Sequence, residues 1–258
     1  MKIDLKNKVV VVTGAANGIG SVITHQMLKE GAKLAAWDID EEGLKSLKSE
    51  LGKDSLDVLF VKCDVSKEND VKQAVEITVN AFGKIDVLVA NAGVAHFGKV
   101  VDMDSSVWDE VFSVNTKGVF NCVQKVAPIM KENNFGRIII ASSFAAIIPS
   151  ANSAAYASSK SALISLTRVL SAELGEHNIT VNAYAPGMIP TAMSGVHNLD
   201  SERKEELLDT LSIREWGKAE DIASLVIFLA SDQARYITGA HIDASGGKFA
   251  VQFAKYAR

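Results

Sequence analysis

The sequence predicts a parallel, doubly wound α/β sheet of seven strands with helices on both faces. Three observations carry this. Short β-branched apolar runs alternate with longer tracts of helical period along the whole chain. The runs are apolar at consecutive positions, as strands buried on both faces require. Residues able to do chemistry fall just after the ends of several runs, where open α/β sheets bind ligands. The strand runs are Val9–Thr13, Lys33–Trp37, Val58–Lys62, Val87–Ala90, Arg137–Ser142, Thr180–Ala185 and Ala240–Asp243. Helical tracts such as Lys67–Phe82, Trp108–Lys131, Ser153–Leu174 and Ala219–Ala230 separate them. Right-handed crossovers would place these helices on the two faces.

The first run is followed by Gly14-Ala-Ala-Asn-Gly18-Ile-Gly20, after which Val22, Ile23, Met27 and Leu28 recur with helical period up to Gly31, a helix stop. Strand, glycine turn and helix come in the order a dinucleotide needs. Glycines let backbone N–H groups approach a pyrophosphate, and the helix N-terminus supplies positive partial charge. The spacing Gly-x-x-x-Gly-x-Gly departs from Gly-x-Gly-x-x-Gly. The second run ends at Asp38, about twenty residues past the glycines, where a carboxylate can accept both hydroxyls of an adenosine ribose. A 2′-phosphate would meet like charge there, with Asn17, Trp37 and Ile39 as neighbours and no Arg or Lys beside them, so NAD is expected over NADP. An Asp closing a strand as ordinary turn chemistry is the bland alternative.

Tyr156 and Lys160 lie four residues apart in Tyr-Ala-Ser-Ser-Lys, on one face of a helix, and Ser143 stands thirteen residues upstream at the end of an apolar run. A phenol titrating near 10 is a poor acid–base catalyst at neutral pH, and a nearby ammonium is expected to lower it. Ser143 would hydrogen-bond the reacting oxygen. Taken singly, Ser143 also reads as a strand-end cap and Tyr-x-x-x-Lys as a chance helix-surface pair.

With these residues in view, the chain resembles a single-domain short-chain dehydrogenase/reductase from about Leu5 to Gly247, with a Rossmann-type sheet. The resemblance rests on the glycine loop, on Ser143 with Tyr156 and Lys160, on Asp64-Val65, on Asn91-Ala92-Gly93, on Asn115 and on Pro186-Gly187-Met-Ile189-Pro-Thr191. It implies that Gly14, Asn17, Gly18, Ile19, Gly20, Asp38 and Ile39 hold the adenosine and pyrophosphate. It further implies Asp64 and Val65 against adenine, Asn91 to Gly93 beneath the cofactor, and Pro186, Gly187, Ile189 and Thr191 near the nicotinamide. Asn115 would help hold a proton-relay water, although a helix-interior Asn bonding backbone is the alternative. Lys160 would also bind the nicotinamide ribose. The substrate would meet Ser143, Tyr156, His96, Phe144, Met188 and Met193, with His96 otherwise a solvated loop histidine.

Composition bounds the rest. The 258 residues are 48% hydrophobic, enough for a large core, and no linker, repeat or charge block divides them, so one domain over 1–258 is expected. Within it, 190–215 reads as a substrate-loop lid and 248–258 as a C-terminal tail. The net charge of −4 without a basic stripe argues against nucleic acid and anionic membrane. There is no signal-peptide core and no apolar run of about 18 residues, so a cytoplasmic protein is expected. Cys63 and Cys122 read as small core residues rather than a disulfide. The five histidines are scattered without ligand spacing, so no metal is expected.

Three function classes remain. An NAD-dependent dehydrogenase interconverting a small secondary alcohol and its ketone comes first, with the apolar Phe144-Ala-Ala-Ile-Ile stretch favouring a moderately hydrophobic substrate. A 3-oxoacyl-(acyl carrier protein) reductase using NADPH is the second. A non-catalytic dinucleotide sensor is the third, and retention of Tyr156 and Lys160 weighs against it. The resemblance implies a homotetramer. Phe249, Phe253 and Tyr256 recur at helical spacing in the tail and would cover either their own subunit or a neighbour's.

Overall fold

Five consecutive buried residues, Val9–Thr13, form strand β1 of the computed structural model, which describes residues 3–251 and residue 255. The other strands are β2 (Lys33–Asp38), β3 (Val58–Lys62), β4 (Val87–Ala90), β5 (Gly136–Ala141), β6 (Ile179–Pro186) and β7 (His241–Ala244). All pair in parallel in the order β3-β2-β1-β4-β5-β6-β7. The sheet grows one way from β1 to β3 and the other way from β4 to β7. A crevice therefore opens at the carboxyl ends of β1 and β4, where the winding reverses.

Strand parity divides the core in two. Val10 and Val12 of β1, with Ile139 of β5, face α1 (Gly18–Lys29), α2 (Glu41–Leu51) and the last long helix. Val11, Ile138 and Ile140 face α3 (Glu68–Phe82) and two helices that follow β4. In chain order these later helices are α4 (Ser105–Phe112), α5 (Gly118–Glu132), α6 (Ala154–Leu174), α7 (Ser201–Leu208) and α8 (Ala219–Ala230); α8 completes the first face, α5 and α6 the second. Full burial of each large aliphatic side chain contributes roughly 1.5–3 kcal/mol. Trp37, at 0% exposure, keeps its indole N–H satisfied by donating to Thr78 Oγ1 at 3.2 Å.

The helices start and stop where local chemistry allows. Asp40 caps α2 by accepting from the Gly43 N–H at 3.0 Å, and Glu41 and Glu42 complement the dipole in the first turn. Leu44, Leu47 and Leu51 form its buried stripe. Gly31, with φ +86°, follows the C-cap of α1 as expected for a helix stop.

The structure departs from the sequence reading in a few places. Trp108–Lys131 is not one helix: α4 and α5 are separated by a π-turn at Ser113–Lys117, in which the Gly118 N–H donates to Ser113 O. Strand β5 starts and stops one residue earlier than expected; the Ser142 N–H still donates to Tyr184 O at 2.9 Å, and Ser143 lies beyond it. Strand β7 begins and ends one residue later, and β2 and β6 are longer at their ends. The polar stretch 195–206 runs into α7, capped by Asp200 accepting from the Arg203 N–H at 2.7 Å. Of the tail aromatics, only Phe249 is among the described residues; Phe253 and Tyr256 lie outside them. No helix of the described residues is long and apolar enough to cross a membrane.

Candidate active site

A cavity of about 630 Å³ lies along the carboxyl ends of the strands. Its far end is built by the β1–α1 turn and by the ends of β2 and β3: Gly14, Asn17, Gly18, Ile19, Asp38, Ile39, Asp64 and Val65 all line it. Two of the three glycines are there for packing. Gly14 has φ +63°, and a Cβ on it would come within 2.9 Å of Ala92 Cα; a Cβ on Gly20 would lie 1.9 Å from Gly14 O. Gly20 thus sits beneath the turn and is not part of the cavity wall.

At the start of α1, the Asn17 side chain makes no capping bond, and its amide nitrogen donates to Asp40 Oδ2 at 3.2 Å. The first-turn N–H groups beside the cavity are therefore left for an anion. Asp38 accepts from the Ala16 N–H through one oxygen and from the Asp40 N–H through the other, both at 2.9 Å. A carboxylate offers about four acceptor positions, so each oxygen keeps capacity for a hydroxyl. Its register partner Lys62 is engaged elsewhere, on Glu41 at 2.8 Å. Burial alone would raise the Asp64 carboxyl, but bonds from Ser66 and Lys67 outweigh it and hold Asp64 below the usual carboxylate range.

The floor is a polar clamp. Asn91 donates from Nδ2 to Thr13 O at 3.0 Å and to Gly14 O at 3.2 Å, while Thr13 Oγ1 accepts from the Asn91 and Ala92 N–H groups, both at 3.0 Å. The remaining acceptor, Asn91 Oδ1, takes the Tyr184 hydroxyl proton at 3.0 Å. Burial pushes the Tyr184 phenol up, with further upward pressure from Tyr156, so it stays a donor. Ala92 and Gly93 complete this wall.

At the near end, Tyr156 and Lys160 come from α6, Pro186 from the end of β6, and Thr191 and Met193 from the segment after it. Ser143 is buried and stands outside the cavity lining, close enough to the Tyr156 phenol to hold it down as a hydrogen-bonding neighbour. Its Oγ also accepts from the Ala145 N–H at 3.1 Å, so the cap and the Tyr156 contact coexist. Lys160 occupies the buried stripe of α6 between Ala157 and Ile164 and is 4% exposed. Its Nζ donates to Ala141 O at 2.8 Å, leaving two further N–H donors. Gly93 makes room for it, since a Cβ there would meet Nζ at 3.3 Å.

The expected depression of the Tyr156 phenol by Lys160 is not what this arrangement gives. Burial dominates and raises Tyr156 above its ordinary value, and the opposing influence is the Ser143 bond. Lys160 stands 5.9 Å from the ring centroid and is itself pushed down to about 8 by burial.

Several expected residues fall away from the cavity wall. Asn115, in the π-turn, spends its side chain on the Val94 N–H and C=O at 2.8 and 2.9 Å and on Ser159 Oγ at 3.0 Å, so any water it holds must be held through its backbone. His96 is half-exposed and pairs with Glu110 at 3.3 Å. Ile189 is buried in the core, Gly187 packs against the Ser245 backbone, and Phe144 and Met188 are partly buried beside the site. Conversely, Cys63, Ser66, Glu110, Ser113, Val114, Ala141, Ser142 and Tyr184 line the cavity without having been singled out from the sequence. Burial pushes the Cys63 thiol up to about 12 and raises Cys122 as well; both are free and inert.

Comparison with known proteins agrees with this geometry. The family model described as Enoyl-(Acyl carrier protein) reductase matches residues 14–248. The 3-oxoacyl-[acyl-carrier-protein] reductase FabG of Thermotoga maritima is 40% identical over 247 residues, 94% of this chain and 98% of its own. Human dehydrogenase/reductase SDR family member 4 is 37% identical over 244 residues, 94% of this chain and 88% of its own. A crystal structure of the 3-ketoacyl-(acyl-carrier-protein) reductase of Brucella melitensis, complexed with NADH, superposes with a TM-score of 0.89 at 32% identity, covering 95% of this chain and 99% of that one. The chain belongs to the short-chain dehydrogenase/reductase family of oxidoreductases.

Proposed function

We propose that this oxidoreductase interconverts a secondary alcohol and its ketone, with NAD as its dinucleotide and Tyr156 moving the hydroxyl proton. The observation that carries the reading is that Tyr156 and Lys160, with Ser143 beside the phenol, stand at one end of a cleft whose other end is the glycine turn and Asp38. The residues present fit a dinucleotide: unpaired first-turn N–H groups for the pyrophosphate, and Asp38 oxygens with spare acceptor capacity for the adenosine ribose. When bound, NAD supplies the hydride acceptor.

The protein's own groups do the rest. Tyr156 takes the proton of the substrate hydroxyl during oxidation and returns it during reduction. Ser143, beside the phenol, holds the substrate oxygen there and stabilises charge developing on it. Lys160 offers its two remaining N–H donors to the nicotinamide ribose. Asn115 holds a proton-relay water through its backbone in this reading, while its side chain fixes the loop after β4 through Val94. Val65 and Asp64 flank the adenine, and Thr191 and Met193 belong to the segment 190–215, which acts as a lid over the substrate.

Asp38 disfavours the 2′-phosphate of NADP by like charge. Initial rates with a panel of small ketones and alcohols, each run with NAD and NADP in both oxidation states, test the reading; equal use of both cofactors would overturn the NAD assignment. The names of the relatives support a second reading, reduction of a 3-oxoacyl carrier thioester. The Brucella relative is itself a reductase of that kind complexed with NADH, so cofactor choice alone does not separate the two readings. Inclusion of a 3-oxoacyl thioester in the same panel does. A cytoplasmic homotetramer is the assembly proposed, with Trp108, Phe120 and Val169 as exposed apolar residues of α4, α5 and α6 available to a second copy, and light scattering tests it.

A further inference from the structure

We propose that His241 is a positioning residue that locks the end of β5 against α6 through Ser142; the proposal rests on the catalytic reading of Ser143, Tyr156 and Lys160 given above. Three consecutive residues at the end of β5 and just beyond it face α6. Ala141 O accepts from Lys160 Nζ at 2.8 Å, Ser142 Oγ donates to Lys160 O at 3.2 Å, and Ser143 lies beside the Tyr156 phenol. The middle stitch is shared with β7. His241 Nε2 lies 3.2 Å from Ser142 Oγ, across 99 residues of chain.

Strand parity shows why these groups meet. Ile140 pairs with Ala183, and Ala183 pairs with His241, so all three point to the α6 face, as does Ser142 two residues beyond Ile140. The small side chain of Ala183 lets the imidazole reach over β6. The proton assignment follows from acceptor chemistry. A backbone carbonyl can only accept, so the single hydroxyl proton of Ser142 goes to Lys160 O, and Ser142 Oγ must accept from a protonated Nε2. Burial lowers the His241 imidazole, Asp243 on β7 raises it and Arg168 on α6 lowers it, yet both the neutral Nε2–H form and imidazolium donate to Ser142. His241 therefore positions and does not titrate in the reaction.

Loss of this bond should let the β5 end and α6 slip relative to one another, misplacing Ser143 and Lys160 while leaving the Asp38 end untouched. Steady-state kinetics on His241→Ala, His241→Gln, Ser142→Ala and the His241→Ala/Ser142→Ala double variant test this. His241→Ala should lower kcat about fivefold, with KM for NAD within about twofold of wild type, as expected for one lost hydrogen bond. His241→Gln, whose amide supplies a donor of similar reach, should recover most of it, and the kcat pH profile should keep its shape in every variant. In the Ser142→Ala background, His241→Ala should change kcat by less than about twofold. Additive losses in the double variant, or a Gln variant as impaired as Ala, would overturn the proposal while leaving the Tyr156 assignment standing; a Tyr156→Phe variant that stays active would instead sink the catalytic reading beneath it.

Discussion

Lys160→Met should make the protein more stable and less active at once. The ammonium lies on the apolar stripe of α6 at 4% exposure, and its one hydrogen-bonded protein neighbour is a neutral carbonyl, Ala141 O at 2.8 Å. Burial moves the group from 10.5 to about 8, which corresponds to about 3 kcal/mol against folding with the charge in place. Met keeps most of the volume and removes the charge, but leaves the Ala141 carbonyl without its donor, at about 1 kcal/mol. The net gain is about 2 kcal/mol at neutral pH, or about 4–8 °C in Tm for a chain of this size. The pH dependence identifies the cause. Below about 8 the lysine is charged in both the folded and unfolded states, and folding bears the whole cost. Between about 8 and 10.5 the folded state has released the proton while the unfolded chain still holds it, so wild-type stability rises with pH through that window. Urea unfolding of both proteins without added dinucleotide, at pH 7 and again near 10, measures this. The variant's advantage should shrink towards zero or reverse at the higher pH. A Lys160→Met protein less stable than wild type at pH 7, or an advantage that does not change with pH, would refute the reasoning.

Tyr156→Phe keeps the ring and deletes the proton carrier, so kcat should fall by at least about a hundredfold while NAD affinity, read by fluorescence titration, stays within about twofold. More than a tenth of wild-type turnover would remove Tyr156 from its role. Asp38→Asn retains an acceptor for the Ala16 N–H but removes the charge, so KM for NAD should rise about tenfold or more and the gap to NADP should narrow. Tyr184→Phe leaves Asn91 Oδ1 without its donor beneath the cavity; denaturant unfolding should show a loss of about 1 kcal/mol, and NAD should bind more weakly.

The sheet was readable because parallel strands covered on both faces leave continuous apolar runs such as Val-Val-Val-Val, and the helices because stripes such as Leu44, Leu47 and Leu51 repeat at helical spacing. Strand ends slipped by a residue or so because the ladder stops where pairing stops, not where hydrophobicity does. The π-turn at Ser113–Lys117 was hidden for a related reason: apolar positions such as Val111, Val119 and Val123 continue on both sides of it, and one extra residue per turn leaves no mark in the pattern.

The candidate site divides along the same line. Gly14, Asp38, Asp64 and Asn91 could be picked out because each follows a strand, and parallel strands all deliver their ends to one edge. What stayed illegible depends on which distant group occupies the space beside a residue. Tyr184 lies inside a β6 apolar run and reads as core, yet its hydroxyl completes the bonding of an amide 93 positions away. Asn115 reads as a possible water holder, but the loop after β4 claims its side chain. Lys160 and Tyr156 show the limit most sharply. Spacing correctly puts them on adjacent turns of one helix, and from that alone the ammonium should ease the phenol's ionisation. The helix face they share turns toward the sheet and the cavity, so the same spacing that makes them neighbours buries Lys160 and half-buries Tyr156, lowering the lysine and raising the tyrosine. Sequence spacing states that two groups meet; the medium in which they meet decides what each does to the other's proton.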